Sequence, residues 1–169
     1  RTVSTPDFKD KTNGAANGLY GWLQVHVEYE TEGGERGGDG NGWLDEVELS
    51  WSVIVRSTQG KPLLLKKRVT YLDVAEGKHN AVVYVRPGLI RRYTGAKRPD
   101  KSMFAAYLEV KINGTKAARQ EYTRSRLPKT WWDAKEPDVK ILDNELFSRD
   151  ETPFAAMDYD FYEHIKKSD

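Results

Sequence analysis

Alternation of apolar and polar side chains is the strongest signal in this chain, and it begins at Leu23. Leu23, Val25, Val27 and Tyr29 interleave with Gln24, His26, Glu28 and Glu30, the period of two expected of a strand with one buried face. Residues 32–42 hold six glycines and predict a long connecting loop. The alternation resumes with Val47, Leu49, Trp51, Val53 and Val55 on one face and Glu46, Glu48, Ser50 and Ser52 on the other. A turn at 59–62 leads to a third strand with Leu65, Val69 and Tyr71 inward and Lys66 and Arg68 outward, which the polar stretch 73–78 is expected to break. Residues 81–86 predict a short strand, stopped by Pro87-Gly88 before one helical turn at 89–93 and a basic loop at 95–101.

The next local pattern is a hairpin. Residues 103–112 alternate, Asn113-Gly114 suits a type I′ turn because both central positions need positive φ, and 115–123 return. Beyond Leu127-Pro128 the pattern weakens. Val139, Ile141 and Leu146 predict a last strand, and Thr152-Pro153 is placed to start a helix with Phe154, Met157, Phe161 and Ile165 on one stripe, although Tyr159, Phe161 and Glu163 read equally well as extended. About six strands without alternating helices predict a mainly β protein. The expected fold is an antiparallel β-sandwich of immunoglobulin-like or fibronectin-like type with a short helical or extended C-terminal segment; a β-barrel is the structural alternative. The expected organisation is an N-terminal arm at 1–18, the sandwich at 19–146, and a segment at 147–169 that packs on or beside it.

Composition narrows the chemistry. With 38% hydrophobic and 11% aromatic residues the 169-residue chain is too apolar for a disordered polymer, and no apolar run reaches the roughly 20 residues of a membrane-spanning helix. The absence of cysteine removes disulfides, thiol catalysis and cysteinyl zinc. His26, His79 and His164 stand at no ligand spacing, and no nucleophile accompanies them in a recognisable motif, so no catalytic residue, cofactor or metal is assigned and the protein is expected not to be an enzyme. Asp39-Gly40-Asn41-Gly42 starts like a calcium loop, but Trp43 and Leu44 occupy the fifth and sixth positions; a cation there would have Asp39, Asn41, Asp45 and Glu46 to use.

The net charge of +1 conceals an asymmetry. Residues 1–55 carry 4 Lys and Arg against 10 Asp and Glu, residues 56–129 carry 18 against 5, and residues 130–169 carry 5 against 11. Acidic ends are therefore expected to pack beside a basic middle and partly neutralise it. Whatever stays uncovered is a candidate contact for a polyanion or glycan: Arg91, Arg92, Lys97, Arg98 and Lys101, with Trp131 and Trp132 as stacking surface. In an extended segment the two tryptophans would point to opposite sides. A sequence pI near 8.0 argues against a dedicated nucleic-acid binder.

Three short stretches, Trp43-Leu44-Asp45-Glu46-Val47, Val83-Tyr84-Val85-Arg86-Pro87 and Tyr107-Leu108-Glu109-Val110, together with the tail Asp150-Glu151-Thr152-Pro153-Phe154-Ala155 and Tyr159-Asp160-Phe161-Tyr162-Glu163, carry a family likeness. Over residues 20–165 the chain resembles the immunoglobulin-like envelope proteins encoded with type IV pilus-associated genes in the verrucomicrobial genus Akkermansia. The resemblance implies an exported, non-enzymatic protein of the outer membrane, periplasm or cell surface that contacts envelope or pilus proteins, with host mucus glycans as an alternative partner. It supplies no site residues. The chain begins at Arg1 rather than Met, so an upstream segment bearing any signal or anchor is expected, and contact with the membrane only through that segment or a partner.

Overall fold

The computed structural model describes residues 2–3, 21–32, 42–96, 101–123, 126–156 and 162–167. Arg1 and residues 4–18 of the expected arm, most of the glycine loop, Lys97 and Arg98, and Met157 to Phe161 of the expected helical stripe lie outside the described residues; Thr2–Val3, within the expected arm, are instead a short strand. Among the described residues, ten strands form two sheets. Strands β1 (Thr2–Val3), β2 (Trp22–Thr31), β5 (Gly77–Val85) and β9 (Leu146–Ser148) make the first, in the order β1-β2-β5-β9. Strands β3 (Trp43–Val55), β4 (Leu63–Ala75), β6 (Phe104–Ile112), β7 (Thr115–Thr123) and β10 (His164–Ile165) make the second, in the order β10-β4-β3-β6-β7. All these pairings are antiparallel; the short β8 (Lys140–Leu142) joins β4 in parallel. The result is a sandwich, and no barrel closes among the described residues.

The period-two positions meet between the sheets. Val47, Leu49, Trp51, Val53 and Val55 of β3 face Ala81, Val83 and Val85 of β5, with Leu65, Val69 and Tyr71 of β4 and Leu108 of β6 completing the layer. At about 25 cal/mol per Å² of apolar surface removed from water, this core is the main favourable term in folding. Helix α1 (Pro87–Thr94) starts at a proline and stops where Gly95 takes φ 67° and returns its N–H to the Arg91 carbonyl. It is longer than the single predicted turn because Leu89 and Ile90 add themselves to the core.

Several expectations are corrected. The break expected at 73–78 shrinks to one residue, Glu76. Asp73 at φ 51° reverses the facing of β4 so that Val74 enters the core, and Gly77 at φ 131° turns the chain into the other sheet. The single late strand expected from Val139 to Leu146 is two strands, one on each sheet. The C-terminal stripe is not a helix where it is described: 152–156 form turns and Ile165 lies in β10, the extended alternative.

The late segments bury the outer faces of both sheets. Residues 127–141 lay Leu127, Trp131, Ala134 and Val139 over Ile54, Leu64, Ala105 and Tyr107 of the second sheet. Phe147, Phe154 and Tyr162 cover Val82 and Tyr84 of the first, beside Trp22. There the buried Arg149 donates to the carbonyls of Phe154 (3.1 Å) and Ala155 (2.9 Å), satisfying its guanidinium where water is excluded.

Candidate functional site

Charge distributes as the asymmetry predicts. Lys67 pairs with Glu151 (2.6 Å), Arg68 and Lys111 with Glu48 (3.5 and 3.3 Å), and Arg86 with Glu145, each joining the basic middle to an acidic end. Lys66 and Arg68 point outward, but Lys67 falls on the inner face of β4 at the sheet edge, where it spans from one sheet to the segment after β9. Burial tends to raise the Glu151 pKa, yet the hydrogen bonds from Lys67 and Ser148 prevail and hold the carboxyl below its ordinary value.

The candidate contact residues separate. Arg91 and Arg92 are exposed on the solvent side of α1, and Lys101 is exposed on a single 3-10 turn. Trp131 and Trp132 do not lie in an extended segment: a 3-10 turn at Trp131–Asp133 brings both rings onto the same sheet face. Trp131 is 2% exposed and its indole N–H donates to Glu121 at 2.8 Å, so it offers no stacking surface. Trp132 is half-buried and stacks on Tyr107, centroids 4.0 Å apart and planes within 5°.

Arg92 does meet two other cations. Lys61, Arg92 and Lys140 line a cleft of about 580 Å³ around Tyr93, with Glu136 on the rim. The Arg92 guanidinium lies 5.2 Å and the Lys140 ammonium 5.5 Å from the Tyr93 ring centre, and Lys140 also donates to the Tyr93 hydroxyl (3.4 Å). Lys61 and Lys140 were not singled out by sequence, because they come from a turn and the start of β8, each 30 or more residues from Arg92.

His79 sits in β5 rather than in a turn and is 7% exposed. Its Nδ1 faces a Glu163 carboxylate oxygen at 2.6 Å, and its Nε2 faces the Ala75 carbonyl at 2.7 Å and the Thr31 hydroxyl at 3.1 Å. This knot pins the segment before β10 to the sandwich. His26 reaches Asn80 at 2.7 Å on the surface. Asp39 and Asn41 of the cation loop lie outside the described residues, Asp45 is exposed, and Glu46 pairs with Lys166. Among the described residues no group of three or more metal-ligating side chains converges.

Among the described residues, the side between β2 and the β6–β7 hairpin is open. β1 pairs only with Trp22 and Leu23, and no other strand among the described residues joins that edge of β2. A groove of about 760 Å³ runs there over Trp51, Val53, Phe104 and Leu108, with Val25 and Val27 half-buried in one wall. All nine residues of β7 are exposed, and among the described residues Tyr122, at 45%, is one of two large apolar side chains left open to solvent, Trp43 at 48% being the other. No motif announced this edge; the sequence shows only a returning hairpin strand.

No curated protein matches the chain. A crystal structure of a protein from Akkermansia muciniphila has a similar fold, with a TM-score of 0.77 at 23% sequence identity over 99% of this chain and 89% of that one. A protein-family model matches residues 1–169. The chain belongs to the family whose model matches it from end to end, and it shares its sandwich fold with the Akkermansia muciniphila protein.

Proposed function

We propose that this chain is an exported, non-enzymatic interaction module of the cell envelope, associated with a pilus or the outer membrane, acting through protein–protein contacts. Family membership and the shared sandwich support the reading. The observation that carries it is the open side, where a long strand edge, an apolar groove and the exposed Tyr122 lie together. Monomeric domains usually blunt or cover such edges, and a partner's strand satisfies the free backbone groups. The test combines fractionation of the producing cells with a photo-crosslinking residue at position 122 and a control at the exposed position 143. An envelope-fraction chain giving protein adducts from 122 and few from 143 is expected. A cytosolic chain, or equal adducts from both positions, overturns the reading.

A second reading, an acidic-glycan binder, rests on the cleft where Lys61, Arg92 and Lys140 surround Tyr93. A sugar ring could lie against the tyrosine with its acidic group among the cations. Glycan-array binding lost in Arg92→Ala would favour it, and a silent array would remove it.

A further inference from the structure

The exposed strand β7 has a side-chain order that complements itself. Its pairing with β6 is regular from Ala118 to Thr123, before the irregularity between Val110 and Lys111. Gln120, Tyr122 and Ala118 oppose Leu108, Ala106 and Val110 and so lie on the groove side. Arg119 and Glu121 oppose Glu109 and Tyr107 and lie on the outer side.

Consider a second copy whose β7 runs antiparallel along this edge. A twofold axis normal to the sheet keeps each side chain on its own face, so the axis must pass through one residue facing its own symmetry mate. Centred on Arg119 it sets Arg119 against Arg119, and centred on Glu121 it sets carboxylate against carboxylate; like charges directly opposite are unfavourable. Centred on Ala118 it makes no charge pair among Arg119, Gln120 and Glu121. Centred on Gln120 it sets Arg119 against Glu121 twice on the outer face, and Tyr122 against Ala118 twice on the groove face. There the small alanine leaves room for a ring that is 45% exposed in the single chain.

We propose that two copies of this chain associate through β7, antiparallel, about a twofold axis at Gln120, so that the two second sheets become one continuous sheet across the axis. The proposal rests on the reading of the open side as the contact side and names the chain itself as its partner.

The chain contains no cysteine, which makes the register directly testable. Facing residues have Cα atoms about 4.5–5.5 Å apart, within disulfide reach, whereas Ala118 and its mate would stand about 14 Å apart. Under mild oxidation Gln120→Cys should therefore form a covalent dimer and Ala118→Cys should stay single. Sedimentation of the unmodified chain should show mass rising with concentration from 19.3 kDa toward a dimer. Arg119→Glu should weaken association about tenfold or more, and the exchange Arg119→Glu with Glu121→Arg should restore most of it. Near-UV circular dichroism checks that each variant is folded, and the two cysteine variants decide the register if the exchange is not. A chain that stays at 19.3 kDa at every concentration, or bridging that is equal at 118 and 120, overturns the proposal. If that result comes with adducts from position 122 to another envelope protein, the twofold fails and the interaction module stands; if 122 gives no adducts either, both fail.

Discussion

Replacing Trp131 by alanine should cost far more stability than replacing its neighbour Trp132, although the two are adjacent and chemically alike. Trp131 is 2% exposed and fills the space over Ile54, Leu64, Ala105 and Tyr107, so its loss combines transfer of a large ring with an unfilled cavity. Such truncations cost about 3–5 kcal/mol. If the cover lifts instead of collapsing, it exposes Ile54 and Leu64, at a similar penalty. Trp132 loses a stacked contact worth about 0.5–1.5 kcal/mol and part of its apolar area, for a total of about 1–2 kcal/mol. For a chain of this size each kcal/mol moves Tm by about 2–4 °C, so Trp131→Ala should melt about 6–20 °C lower and Trp132→Ala about 2–8 °C lower. Trp131→Phe keeps most of the ring and gives up the bond to the exposed Glu121, which water can replace, and should lose about 1–2 kcal/mol. Urea unfolding checks the order, provided the slope against denaturant is unchanged so that the midpoints report stability. A Trp131→Ala variant no less stable than Trp132→Ala would refute the assignment of residues 127–141 as a buried cover.

Three further outcomes follow from the same reasoning. Gly114→Val should cost at least about 1 kcal/mol, because Asn113 and Gly114 take φ 47° and 79° and nothing lies within 4 Å of the added carbon, so the loss is backbone strain alone; an unchanged melting temperature would exclude it. The Glu151 pKa is lowered by folding, so its contribution is present above the ordinary carboxylate value of 4.5 and is lost as pH falls below it. Glu151→Gln should flatten that limb of the stability–pH curve, and an identical curve would refute the Lys67–Glu151 clasp. Heparin should release the intact chain below roughly 0.3 M salt, since Lys67, Arg68, Arg86 and Lys111 of the basic middle are paired with the acidic ends; retention beyond it would show an open cationic face.

What the sequence revealed depended on how many faces of each element were buried. Strand β2 alternates cleanly because its outer positions His26, Glu28 and Glu30 meet water, and its pattern was legible from composition alone. The end of β3 and the start of β4, Ser52 to Val55 and Leu63 to Leu65, are buried on both faces, and there alternation gives way to an apolar run that conceals the cover lying on it. Residues 127–141 have little periodicity of their own, since a cover of turns and 3-10 pieces owes its structure to the sheet beneath rather than to local propensity. Adjacent tryptophans therefore suggested opposite directions, whereas a 3-10 turn aims both at the sheet. The cationic cleft was hidden for a related reason: Lys61, Arg92 and Lys140 come from a turn, a helix and a strand far apart in sequence, and nothing local marks residues that only the fold assembles.

The charge asymmetry was legible because electrostatic complementarity constrains sums rather than positions. The acidic ends did come to lie against the basic middle, through Glu48, Glu145 and Glu151. Their placement also bears on which side can receive a partner. Glu151 draws the segment after β9 across the β4 edge, where β8 and β10 add pairing at its two ends, and Phe154 and Trp131 close the two outer faces. The late segments thus cover one side of the sandwich, and among the described residues β7 pairs with β6 alone. An edge strand exposed along nine residues would invite indiscriminate pairing unless its charges favoured one register. Arg119 and Glu121, two residues apart on one face, discriminate in that way: most alignments set like charges together or leave them unmatched, and the alignment about Gln120 satisfies both.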